Sequence, residues 1–291
     1  MGLAGAAIGF PTIIPSRVLG ADAPSKKINI LQIAAGRIGR SMDIPGILRQ
    51  DAARLVALCE IDSLRLADGK QMVENHYKKK NIGIQVATYG DYREALQHPD
   101  IDAVSISTPD HWHAEPIIAA ALSGKDIYVQ KPLTMTVQEG RAVSDVIREK
   151  GCMFQIGSQQ RSGSQFRIAC EMVRNGRIGK LHTVKIGLPS DPSGGSTVEV
   201  PVPSNLNYEM WLGSTPLAPY TVDRVHPQAE NIKDRYGPRP GWLRMEEYCL
   251  GMITGWGSHH VDIGHWGMDT ELTGPVAIEA KAEFPKSGLW N

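Results

Sequence analysis

The chain has 291 residues, more than one ordinary hydrophobic core usually needs, so two domains are expected. Its 31 Lys+Arg and 31 Asp+Glu cancel, which leaves no electrostatic case for nucleic acid or an anionic membrane surface as partner. Of the cysteines Cys59, Cys152, Cys170 and Cys249, none forms a C-x-x-C pair, so neither a zinc ribbon nor a dithiol motif is expected.

Residues 1–16 are small and apolar, but Pro11, Pro15 and the short length argue against a membrane-spanning helix. Ala21-Asp22-Ala23 fits the A-x-A pattern of a signal-peptide cleavage site, without the basic segment that normally precedes it. Residues 1–25 therefore read as a leader remnant of an exported, periplasmic protein. The alternative is a flexible N-terminus on a cytoplasmic one.

Ile28–Ile33 has the pattern of a strand, Ala34–Gly39 that of a tight turn, and the segment to Leu48 that of a helix. This is the order of a G-x-G-x-x-G dinucleotide site, with Ala34 in the first glycine position. Gly36 would let the backbone approach a pyrophosphate at the helix N-terminus, with Ala35, Arg37 and Ile38 beside it. A glycine turn in an unrelated α/β protein is the competing reading. The next strand, Arg54–Cys59, ends on Glu60, where the adenosine ribose needs an acceptor. An acid there repels a 2′-phosphate, so NAD is expected over NADP; Asp62 is the competing acid.

The pattern then repeats: helix 63–80, strands 85–89 and 103–107, helix 113–122 and strand 127–129. A Thr136–Glu139 capping box opens a helix to Lys150, and a strand at 153–157 follows. Repeated βα units predict a doubly wound parallel sheet, the Rossmann arrangement, over residues 26–157. Strand 127–129 runs into Gln130-Lys131-Pro132. Ligands bind at the carboxyl ends of such strands, so Lys131 is a candidate site residue rather than a loop lysine.

In the second half, 165–175 reads as an amphipathic helix, 182–188 as a strand, 190–204 as a loop and 258–268 as a helix. Residues 214–250 carry Tyr220, Arg224, His226, Arg235, Trp242, Arg244 and Tyr248, side chains suited to sugars by stacking and paired donation. His259, Asp262 and Trp266 share one helix face, and Asp262 is one turn from His265, placed to orient an imidazole for proton transfer. A metal held by His259, Asp262 and His265 is a minor alternative, and no metal is assigned. Residues 275–284 alternate as a strand, after which the chain stops at Asn291.

Together, the turn at 34–39, VALCEID at 56–62, TPDHWHA at 108–114, VQKP at 129–132, GSQQRS at 157–162 and GWGSHHVDIGHWGMD at 255–269 resemble the glucose–fructose oxidoreductase / inositol dehydrogenase (Gfo/Idh/MocA) family. They are most similar to its secreted members with a twin-arginine leader. The resemblance implies a C-terminal α+β domain over 158–291 with an open mixed β-sheet, cut short here, through which a homo-oligomer would form. It implies Lys131, His259 and Asp262 as catalytic residues, and Thr108, Pro109, His113 and Lys131 as further cofactor contacts. Substrate would meet Lys131, Arg161, Tyr248, His259 and His260. The implied reaction moves a hydride between NAD and a sugar or polyol hydroxyl. The alternatives are glycoside cleavage by transient oxidation and elimination, or a non-catalytic sugar-binding protein. Three positions depart from the family pattern: Ala34, Gln130 for a glutamate, and Gly255 for an aspartate.

Overall fold

The computed structural model describes residues 26–190, 193–283 and 287–290. The expected leader lies outside them. Six strands form one parallel sheet: β1 (Ile28–Ile33), β2 (Ala53–Cys59), β3 (Ala87–Tyr89), β4 (Ala103–Ile106), β5 (Asp126–Val129) and β6 (Phe154–Ile156). Their order, β3-β2-β1-β4-β5-β6, reverses direction between β1 and β4. That opens a crevice at the carboxyl ends of the two strands, as in doubly wound nucleotide-binding sheets. The strands are nearly continuous apolar runs because helices cover both faces. Leu31, Ala57, Ile106 and Val129 are fully buried, and Ile117 and Ala120 of the helix Ala114–Leu122 pack against that core.

The turn after β1 shows why its residues are small. Ala34 is left-handed, with φ 66°, and its N–H donates to Cys59 O at 2.8 Å. An alanine in that conformation costs about 1–2 kcal/mol that a glycine avoids. Gly39 is needed for space, since a Cβ there would stand 2.6 Å from Ala34 O. The helix continues through a π-helical turn, Gly39–Asp43, which carries Asp43 beneath the sheet's carboxyl edge, and ends as α1 (Ile44–Leu48). Asp62 caps the next helix, α2 (Ser63–Lys79), by accepting from Leu64 N and Arg65 N. The Thr136–Glu139 capping box forms and opens α3 (Val137–Lys150).

The second half is anchored at the end of β2. Ser63 N donates to Asn205 O at 2.8 Å and Asn207 N to Ile61 O at 3.1 Å, so residues 205–207 extend the backbone pairing. Trp211, in α4 (Tyr208–Leu212), then leads a second core with Leu206, Tyr220, Val225, Met245 and Tyr248. Helix α5 (Ser164–Arg174) packs on α6 (Gly257–Met268).

The molecule is α/β, but the two expected C-terminal strands do not form. Residues 182–190 carry no strand and run along α6 instead, where Ile186 and Val184 face Gly264. Residues 271–283 are exposed throughout and carry no strand, with Val276 and Ile278 in solvent. Alternating side chains are half of what a strand needs. The other half is a neighbour to pair with, and among the described residues neither segment has one. Among the described residues the expected open mixed sheet is therefore not formed there.

Candidate active site

The glycine turn, the carboxyl ends of β4 and β5, and residues from the second half enclose a cavity of about 560 Å3. Gly36, Arg37, Ile38, Glu60, Thr108, Pro109, Lys131 and His259 all line it, as do His226, Arg235 and Trp242 of the 214–250 segment, so eleven sequence-predicted residues come together. Ala35 is buried behind the turn and contributes its N–H, which donates to Glu60 Oε2 at 2.8 Å. Glu60 Oε1 accepts from Ile61 N at 2.9 Å and Asp62 N at 3.1 Å. Burial pushes the Glu60 carboxyl above its ordinary value, with Arg65 and these N–H donors acting the other way. Oε2 carries one donor and keeps a lone pair for a hydroxyl. The competing acid, Asp62, is committed elsewhere: beyond its helix cap it takes His226 Nε2 and Gln228 Nε2, both at 2.9 Å.

At the other end, Lys131 follows β5 and is half-buried. Its Nζ donates to Gly255 O at 2.7 Å. Burial holds the ammonium below its ordinary value and Arg239 adds to this, while Asp110 and Cys249 oppose it. Gln130 is buried beside it. Its Nε2 donates to Asp43 Oδ1 and Oδ2 at 2.7 and 2.9 Å, and its Oε1 accepts from Gln159 at 3.0 Å. Asp43 also accepts from Ser107 Oγ at 2.5 Å. The acid missing at position 130 thus reappears as Asp43, and the amide at 130 donates to it where an ionised glutamate could not. Gln130→Glu sets two carboxylates face to face and should cost roughly 1–3 kcal/mol or more, read as a lower urea midpoint. An unchanged midpoint would remove Asp43 as the reason for Gln130.

His259 reaches the cavity from α6 and is 9% exposed, with a buried Nδ1 that has no hydrogen-bond partner. Desolvation, Lys131 and His260 lower its pKa from 6.5 to about 4, against a smaller upward pull from Asp262. The ring is therefore neutral near pH 7, a proton acceptor. In a ring-carbon NMR titration its signals should not move between about pH 8 and about pH 5.5. A midpoint near that of free histidine would contradict this environment. Between 6.5 and about 4 the unfolded chain takes up a proton that the fold refuses. His259's share of stability is thus lost as pH falls through that window.

The remaining predicted residues stand outside the cavity. His113 is buried and spans two turns, with Nδ1 2.6 Å from Pro132 O and Nε2 3.1 Å from Thr108 O; it positions the cavity wall without lining it. Asp262 is gripped by Arg161 through Nε at 2.7 Å and Nη2 at 2.8 Å, and Arg161 lies over the Trp266 ring. That ion pair occupies both, so neither meets the cavity and Asp262 orients no histidine. His265 instead rests 3.1 Å from Thr270 O. Tyr248 is fully buried and its hydroxyl accepts from Arg224 Nη1 at 3.1 Å, while His260 turns to Gly187 O. Helix spacing placed Asp262 beside a histidine, and the family resemblance placed Arg161, Tyr248 and His260 at the substrate; in this structure each has another partner and none lines the cavity. No cluster of three metal-ligating side chains occurs among the described residues.

Two features escaped sequence reasoning. Asp110 lines the cavity, although it reads as an ordinary turn residue after a proline. Residues 226–240 fold over the turn between β1 and α1. There Arg235 Nη1 donates to Asp68 Oδ2 at 2.6 Å and Arg37 Nε to Gly237 O at 3.3 Å. The excess of Arg and Pro in that segment was the available signal.

The model of the Gfo/Idh/MocA "Oxidoreductase family, NAD-binding Rossmann fold" matches residues 28–158, and that of its "C-terminal alpha/beta domain" residues 193–287. The scyllo-inositol 2-dehydrogenase (NAD(+)) of Bacillus subtilis is 39% identical over 101 residues, 35% of this chain and 29% of its own length. The alpha-N-acetylgalactosaminidase of Shewanella oneidensis is 32% identical over 169 residues, 56% of this chain and 36% of its own. Among solved structures, GenD2 from gentamicin A biosynthesis, in complex with NAD, superposes with a TM-score of 0.59 over 84% of this chain and 54% of its own. At 14% identity it shares the fold. The chain spans less than half the length of the curated relatives it matches.

Proposed function

Because the chain belongs to the Gfo/Idh/MocA family of NAD(P)-binding oxidoreductases, matched in both halves, we propose that it moves a hydride between NAD and a sugar or polyol hydroxyl. Residues 26–157 would bind the dinucleotide and 158–291 shape the substrate end. One observation carries the reading: Lys131 and a neutral His259 line the same cavity as the glycine turn and Glu60. The residues fit a dinucleotide. A Cβ at Gly36 would meet only the end of the Arg65 side chain, Nη1 at 3.8 Å, which leaves the backbone there approachable, and Glu60 keeps an acceptor for a ribose hydroxyl.

A bound nicotinamide would supply the hydride acceptor. Lys131 uses one hydrogen on Gly255 O and keeps two to hold the carbinol oxygen. His259, neutral and lining the cavity, accepts the hydroxyl proton as the C–H bond breaks. Trp112, Trp256 and Pro240 line the walls and exclude water from the reacting centre. The relative named as an alpha-N-acetylgalactosaminidase supports a second reading, in which the same oxidation is transient and a glycosidic bond is eliminated before the hydride returns.

NADH formation with a panel of sugars and polyols tests the first reading, and release from aryl glycosides without net NADH the second. Failure of both, in protein that binds the cofactor, would leave neither standing. Calorimetry with both dinucleotides should show tighter binding of NAD; equal or tighter NADP binding would remove Glu60 from the ribose.

A further inference from the structure

Asp110 is buried and lines the cavity, and its Oδ2 has no hydrogen-bond partner. An unpartnered buried carboxyl oxygen is costly and calls for a reason. The sheet supplies the geometry. Strands β4 and β5 are adjacent with Ile106 beside Val129, so Asp110 and Lys131 emerge from the same edge a few residues later. His113 ties the two turns together through Thr108 O and Pro132 O.

We propose that Asp110 is the counter-carboxylate of Lys131. The groups around Lys131 are Asp110, Cys249, Arg239 and His259. Those around Asp110 are His113, Cys249 and Lys131, and the Cys249 thiol hydrogen-bonds the Asp110 carboxyl. Burial pushes the Asp110 carboxyl above its ordinary value, with His113, Cys249 and Lys131 acting the other way; ionised, it brings the one carboxylate charge in this set, and its field favours the protonated lysine. Burial and Arg239 push the other way. Asp110 is a positioning residue: it acts through Lys131, keeping the ammonium charged where it would hold a hydroxyl oxygen. This deepens the oxidoreductase reading by naming what sets the charge of its lysine.

The test needs no substrate. Lys131 is acylated with acetic anhydride across a pH series in the intact chain, and its labelling is compared with that of exposed Lys78 by peptide mass spectrometry. In Asp110→Asn the Lys131 midpoint should fall and its labelling near pH 7 rise by about tenfold, the equivalent of one pH unit. A merely structural role would alter the plateau reached at high pH and leave the midpoint in place, which would overturn the proposal. Gly255→Asp supplies the rescue, because a Cβ at Gly255 meets no atom within 4 Å. Asp110→Asn/Gly255→Asp should bring the midpoint back toward wild type; no return overturns the carboxylate charge as what sets it. Should Asp110→Asn not fold, Lys131→Met gives the reciprocal reading. Carbon-13 NMR should then show the Asp110 carboxyl titrating at higher pH than in wild type, and an unmoved carboxyl would be equally fatal. None of these readings depends on turnover, so they stand or fall apart from the proposed reaction.

Discussion

In Lys131→Met, turnover of a confirmed sugar or polyol should fall by roughly 10²–10⁴-fold, the range for lost proton-transfer assistance. Methionine keeps the length of the stem and removes the ammonium with all three donors. The bond to Gly255 O disappears, and with it the group placed to hold the reacting oxygen. Dinucleotide affinity should change far less, because Gly36 and Glu60 lie at the other end of the cavity. Lys131→Arg should not recover the rate, since a guanidinium is longer, flat and does not give up its proton near neutral pH. Steady-state kinetics beside calorimetry separates the two effects. Wild-type turnover in a folded Lys131→Met that still binds NAD would end the assignment.

Trp211→Ala should lower stability by about 3–5 kcal/mol, the range for truncating a large buried aromatic. The indole is 2% exposed and lies edge-on to Tyr248 at 4.7 Å and His111 at 5.2 Å between ring centroids. Its own carbonyl receives His111 Nε2 and Trp112 Nε1, each at 2.9 Å. Those two residues belong to the loop after β4, so Trp211 fastens the second half of the chain to the sheet's carboxyl edge. Loss of the ring should loosen the part of the cavity wall that Trp211 itself lines, and with it kcat, before the sheet itself opens. Urea unfolding followed by circular dichroism reads the stability. A change under about 1 kcal/mol would mean that backbone bonds alone hold the junction.

The parallel sheet was legible because each strand is a short apolar run followed by a helix with its own start signals. The Thr136–Glu139 box is local chemistry, and local chemistry shows in the sequence. Lys131 and the glycine turn were legible for a similar reason, since the ends of parallel strands gather on one edge whatever the details. The rest depended on distant partners. Asp262 reads as a histidine's neighbour until Arg161, 101 residues away, claims it. Gln130 reads as a lost charge until Asp43 is found opposite it. Asp110 was unremarked because its burial follows from the adjacency of β4 and β5, which no single segment encodes. The alternating runs at 182–188 and 275–284 mislead in the opposite way, since period two says what a strand would bury and not whether anything lies beside it.

The bond between Asp43 and Gln130 also sets an order on how this sequence can change. The two residues are 87 apart, yet each fixes what the other is free to become. A glutamate arriving first at position 130 meets a buried carboxylate and loses both donated hydrogen bonds. An asparagine arriving first at position 43 gives up the charge and keeps one acceptor oxygen for Gln130 Nε2, and glutamate at 130 then has a donor waiting. Of the two single-step routes to a glutamate at 130, one crosses a poorly folding intermediate and the other does not. A lineage leaving this pairing is therefore channelled through position 43, and a library that varies position 130 alone samples only the blocked route.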